Sequence, residues 1–160
     1  MPKKGYINFE QALKKLQHYC AYQDRCHYEV RSKLLDLGVY GDTLEEVIAD
    51  LVKDNFLNEE RFARSYARGK FRMKKWGRQK ITSNLKMKKI SAYCIRKAMT
   101  EIDEFEYEET LKEIIMKRMG EKEDWDYALF QKTGQYVLSR GYESSLVWPM
   151  ISKLRLKSEI

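Results

Sequence analysis

The chain has 160 residues, of which 43% are apolar and 34% charged, and a formal charge of +7. That is enough apolar material for one compact domain or a short array of repeated units, with a strongly hydrophilic exterior. Only two prolines and eight glycines punctuate it, so the composition argues for a mostly helical chain.

No stretch approaches the roughly 18 apolar residues of a membrane span. The start, MPKKGYINFE, has no apolar run behind its lysines and does not read as a signal peptide. The cysteines, Cys20, Cys26 and Cys94, are odd in number and show no disulfide-framework spacing, which suits a reducing cytoplasm.

Apolar residues at helical spacing predict helices near 9–23, 27–37, 43–55, 58–75, 77–88, 91–103, 106–119, 125–140 and 143–155. Asp42 and Thr43, with Glu45 and Glu46 behind them, mark the start of the third. Asn58 is the expected cap of the fourth, with Glu59 and Glu60 in its first turn, where the helix dipole favours negative charge. Ser91 opens the sixth. Pro149 falls within the ninth and marks either a late start or a kink, because proline removes a backbone donor and clashes one turn back.

The chain also matches itself. At a shift of 51 residues Leu34 falls on Leu85, Leu44 on Ile95, Ile48 on Met99 and Leu51 on Ile102. A shift of 103 adds Val137, Val147, Ile151 and Leu154. Val30 matches Ile81, but the third copy has Thr133 there. Gly38-Val39 returns as Gly141-Tyr142, whereas the second copy has Lys89-Ile90. A period near 50 residues with helical spacing inside each copy predicts an all-α fold of three tandem three-helix repeats. The expected boundaries are 1–56, 57–104 and 105–160.

Charge is distributed unevenly over these copies. Residues 61–100 hold 14 of the 31 basic residues and none of the 24 acidic ones, which leaves the remainder at −7. Any surface for a polyanion is therefore expected mid-chain. At 100° per residue, Arg61, Arg64, Arg68, Arg72 and Lys75 fall on one arc of the fourth helix, and Phe62, Tyr66, Gly69, Met73 and Trp76 on another, expected to face the core. Within this segment no acid stands three or four residues away to pair with the ridge, and like charges so spaced repel by about 0.2–0.5 kcal/mol. An anionic partner is the expected compensation. The candidate binding residues are Arg61, Arg64, Arg68, Arg72, Lys74, Lys75, Arg78 and Lys80. Phosphate backbone and acidic protein surface both fit such a ridge.

Other features carry less. His18, Cys20, Cys26 and His27 match no common zinc spacing, so no metal site is expected. With two histidines, both near the first helix, no hydrolytic triad can be built, and Gly38-Val39-Tyr40-Gly41 is a turn rather than a phosphate loop. The acidic run EIDEFEYEET (101–110) reads as a solvated helix start or an internal complement to the basic segment. Neither catalysis nor a cofactor is expected.

DNFLNEERFARSY (54–66) and WGRQKITSNL (76–85) together resemble the RecX family of bacterial recombination regulators. RCHYEVRSKLLDLGV (25–39) is similar to that family's N-terminal repeat, and YVLSRGYESSLV (136–147) to its C-terminal one. Asn58 stands where the family more often has Asp, and Asn84 where a glutamate is common. The resemblance implies three three-helix repeats in an elongated, curved molecule lying in the groove of the RecA–DNA filament. It further implies a monomeric, cytoplasmic, non-enzymatic modulator that limits filament extension, recombinase ATPase and strand exchange. Its partners would be the RecA filament and the single-stranded DNA within it, with weak direct DNA binding and no membrane association. The alternative is an autonomous DNA-binding protein, a helix-turn-helix-like transcription regulator.

Overall fold

The computed structural model describes residues 7–120 and 126–158. The first six residues, which do not read as a signal peptide, and position 125, the expected start of the eighth helix, lie outside the described residues. Those described form helices α1 (Phe9–Tyr22), α2 (His27–Asp36), α3 (Gly41–Lys53), α4 (Glu59–Lys74), α5 (Arg78–Met87), α6 (Ala92–Met99), α7 (Glu104–Met119), α8 (Tyr127–Ser139) and α9 (Ser144–Ser158), with no strand among them. The fold is all-α, built as three tandem three-helix repeats.

Short polar side chains start most of these helices by accepting the amide hydrogens that the first turn leaves free. Asn8 and Gln11 form a capping box on α1. Asn58 accepts from the Arg61 amide at 2.9 Å, as expected for α4, and Asp103 and Asp126 do the same for α7 and α8. Ser91 accepts from the Cys94 amide at 3.2 Å. The third helix departs from expectation. It begins at Gly41 after an extended Tyr40, without a side-chain cap, so Asp42 lies inside the first turn. The sixth ends at Met99, earlier than its apolar pattern suggested, since Ile102 is buried from the turn beyond. α9 runs through Pro149 from a start at Ser144, which excludes a late start there.

The repeat has one structural signature, the C-terminus of each second helix. Val39, Ile90 and Tyr142 donate their amides to the carbonyls of Leu34, Leu85 and Val137. The residues before them, Gly38, Lys89 and Gly141, take positive φ values of 81°, 59° and 100°. This is the Schellman arrangement, in which a left-handed residue turns the chain and the next side chain folds back onto the helix. All six partners are buried. Lys89 holds the left-handed conformation without being glycine, which costs about 1–2 kcal/mol.

By contact, the described residues divide into two compact units. One comprises those up to Ser65 with Leu85–Lys97, the other Tyr66–Asn84 with those from Ala98 onward, so α4, α5 and α6 each contribute to both. The first has a core of Leu16, Val30, Leu34, Val47, Leu51 and Leu57, among others, where α1 and α2 pack on α3. In the second, α8 packs against α7 and α9, and its largest fully buried side chains are Tyr107 and Tyr142, stacked with ring centroids 5.0 Å apart.

Candidate polyanion interface

The buried face of α4 is Ala63, Ala67 and Phe71, four residues apart, flanked by Phe62. This corrects the expected stripe: Tyr66 and Trp76 are half-buried, and Met73 is 83% exposed. The small alanines let α4 pack closely, while Tyr66 and Trp76 of the expected stripe are only half-buried and Met73 points outward. The basic arc consequently borders the buried face instead of standing well away from it.

That position supplies carboxylates to the first part of the ridge. Arg61 donates through Nε to Asp24 at 3.0 Å, and through a second nitrogen to the carbonyls of Asn55 and Phe56. Arg64 lies 3.7 Å from Glu60, one turn back, and Arg68 is 3.2 Å from Glu101. Arg78 is clasped further. It meets Glu104 at 2.8 Å and Glu143 at 3.8 Å, and its guanidinium lies 3.9 Å over the Tyr107 ring. The Tyr107 hydroxyl accepts from the Arg78 amide and donates to Glu143. Burial and this Glu143 bond hold the phenol well above its ordinary pKa, so it stays a donor.

The acidic run 101–110 is thus in part the internal complement, through Glu101 and Glu104. Asn84, at the family's usual glutamate position, donates to the Lys80 carbonyl one turn back at 2.8 Å.

The other candidates differ. Arg72, Lys74 and Lys75 are exposed at the end of α4. Among the described residues Arg72 and Lys74 make no salt bridge, and Lys75 stands 4.0 Å from an exposed Glu113. Lys75 also has φ +56°, which ends the helix. Two basic residues in this last turn complement the helix dipole. Lys80 is half-buried with its ammonium 4.4 Å from the Trp76 ring, and Lys70 covers the same ring at 4.9 Å.

Beside the end of α4 lies a cleft of about 660 Å³, also lined by Lys117 and Arg118 of α7, by Tyr136 of α8 and by Arg140, the residue that follows α8. Sequence reading passed over these residues, because charges in the last turn of a helix are ordinary. Two glycines hold the α4–α5 turn against the α8–α9 turn. The Gly77 amide donates to the Arg140 carbonyl at 2.8 Å, and that of Gln79 to the Gly141 carbonyl at 2.9 Å. A Cβ on Gly77 would stand 2.2 Å from the Gly141 carbonyl carbon.

The four His and Cys side chains near α1 gather no metal set among the described residues. Cys20 and Cys26 are buried, which pushes both thiols up to about 11. No helix among the described residues is long and apolar enough to cross a membrane.

These features define a class, a tandem three-helix-repeat protein with a basic surface at the junction of its second and third repeats. The particular family follows from comparison. Residues 58–99 match the family model described as RecX, second three-helix domain. The regulatory protein RecX of Haemophilus ducreyi is 30% identical over 145 residues, 89% of this chain and 87% of that protein. That of Clostridium perfringens (strain 13 / Type A) is 32% identical over 118 residues, covering 72% of this chain and 55% of the relative. The chain belongs to the RecX regulatory protein family. It also covers 55% of the Lactobacillus johnsonii relative, so it spans about half the length of several of the proteins it matches. In fold it is similar to the crystal structure of RecX from Lactobacillus salivarius, with a TM-score of 0.82 at 23% identity, covering 92% of this chain and 97% of that one.

Proposed function

We propose that the protein is a non-enzymatic regulator of homologous recombination, which binds the RecA–DNA filament and limits its extension, ATPase and strand exchange. Membership of a family named for regulation supports the role. The observation that carries the binding surface is the split in the ridge. Among the described residues Arg61, Arg64, Arg68 and Arg78 have carboxylates beside them, whereas Arg72 and Lys74 have none and Lys75 has only a distant one. Three adjacent exposed cations with so little internal compensation attract a polyanion such as a nucleoprotein filament.

The test is recombinase ATPase on single-stranded DNA, with wild type and the triple variant Arg72→Glu, Lys74→Glu, Lys75→Glu. Wild type should inhibit, and the folded triple variant should not. Equal inhibition by both would remove the ridge from the reading. Sequence-specific DNA binding that ignores recombinase would favour the transcription-regulator alternative instead.

A further inference from the structure

We propose that a second copy of this chain docks in the cleft beside the end of α4, through the acidic and aromatic first half of its own α7. The inference stands apart from the regulatory reading, because the contact needs neither recombinase nor DNA.

α7 carries both halves of the contact. Its first half presents Glu104, Phe105, Glu106, Glu108 and Glu109 to solvent, and its end presents Met116, Lys117 and Arg118. Complementing the helix dipole accounts for charges in the first and last turns only. Glu108 and Glu109 lie beyond the first turn, and the dipole gives no reason for a phenylalanine 73% exposed among acids. At 100° and 1.5 Å per residue, Phe105 and Met116 differ by about 20° around the axis and about 16 Å along it. They share one exposed face of one helix, so the acidic end cannot bend back to its own cleft.

The cleft offers what that end lacks. Lys74, Lys75, Lys117, Arg118 and Arg140 line it, with Glu113 the one acid among its lining residues. The Arg140 guanidinium donates to the Lys74 carbonyl, and that of Arg118 lies 4.1 Å over the Tyr136 ring, so the lysines are the cations left for carboxylates. Met73 and Met116 are the exposed apolar walls, and thioethers pack favourably against an aromatic ring. A cleft of about 660 Å³ has room for a phenyl ring between them.

Two copies with antiparallel α7 helices satisfy both ends at once. Each acidic end then lies on the other copy's cleft, and the doubled contact closes about a two-fold axis. A phosphodiester strand in the cleft would leave Phe105 and its acids facing water, whereas a second copy covers them. Since Lys74 and Lys75 also belong to the proposed filament surface, dimer and filament would exclude each other there.

Sedimentation velocity over a concentration series, at low and high salt, reads the association. Two charge-reversed variants test its chemistry, Glu108→Lys/Glu109→Lys in the acidic end and Lys74→Glu/Lys117→Glu in the cleft. All four positions are exposed, and none of these side chains makes an ion pair among the described residues. Wild type should form dimers, more tightly at low salt, since exposed charges are screened beyond about 10 Å at 0.1 M. Each variant alone should dimerise at least about ten-fold more weakly, because attraction becomes repulsion at both contacts. An equimolar mixture of the two should recover dimers, since reversed ends then meet reversed clefts.

Wild type that stays monomeric at every concentration and salt overturns the proposal. So do variants that dimerise as wild type does, or a mixture of folded variants that stays monomeric. Should a reversed variant not fold, Phe105→Ala at its exposed position decides instead: weakened dimerisation supports the contact and unchanged dimerisation overturns it. Monomeric wild type with cleft-dependent binding of polyglutamate or oligothymidylate gives the cleft to a different occupant, and overturns the proposal as well.

Discussion

Nε of Arg61 donates to Oδ1 of Asp24 at 3.0 Å, and the Ser65 hydroxyl donates to the other oxygen of the same carboxylate at 2.9 Å. The first basic residue of the acid-free segment is therefore tied to an acid 37 positions earlier. Arg61→Ala should lower the unfolding free energy by about 1–2 kcal/mol, since its charge-assisted bonds are lost in a half-exposed setting. Arg72→Ala should stay within about 0.5 kcal/mol of wild type. Urea unfolding followed by circular dichroism distinguishes the two, and equal effects would contradict the division of the ridge.

Gly77 and Gly141 pack backbone on backbone, so a methyl group on either has no room. Gly77→Ala should cost about 1–3 kcal/mol through overpacking. Gly141→Ala should cost more, because its Cβ meets Lys80 at 2.4 Å and its φ is +100°. Gly38→Ala, at φ +81° with open space around it, should cost only about 1 kcal/mol. The thermal midpoint should fall most for Gly141→Ala, less for Gly77→Ala and least for Gly38→Ala.

Thr133 is the one buried polar side chain among the described residues, and its hydroxyl has no hydrogen-bond partner. It occupies the place that Val30 and Ile81 take in the other two repeats, both fully buried. Thr133→Val should therefore stabilise the protein by about 1 kcal/mol, because an unpaired buried hydroxyl is replaced by an isosteric methyl group. A fall in stability would mean that the hydroxyl is satisfied in solution.

Cys20 and Cys26 have thiols raised by burial from 9.0 to about 11. A group whose folded pKa lies above its unfolded one contributes stability that is complete below the unfolded value and lost as pH rises. Denaturant midpoints should therefore decline between about pH 9 and pH 11, less steeply in Cys26→Ala. At pH 8 iodoacetamide should label both thiols slowly in the native protein and quickly in urea. Rapid native labelling would contradict the burial.

All nine helices among the described residues were legible within a few residues, because amphipathic period and short polar caps are local properties. The three-fold repeat was legible for the same reason. Leu34, Leu85 and Val137 share a place in the sequence pattern, and each receives the same amide bond at a helix end. The face of α4 was misread. Tyr66, Met73 and Trp76 are bulky and periodic, yet the helix packs through Ala63, Ala67 and Phe71 beside Phe62, and the small alanines leave little trace in a hydrophobic pattern. The cleft cations Lys117, Arg118 and Arg140 were invisible as a group, since each taken singly is an ordinary residue near a helix end.

The sequence by itself determined the helices, the repeat, the family and the concentration of positive charge between residues 61 and 100. Only the tertiary structure decided which of those charges is neutralised. Ion pairing depends on distance in space, and Asp24, Glu101, Glu104 and Glu143 reach their arginines through folding, not through spacing along the chain. Those contacts take up Arg61, Arg68 and Arg78, and leave the exposed cations to gather at the end of α4.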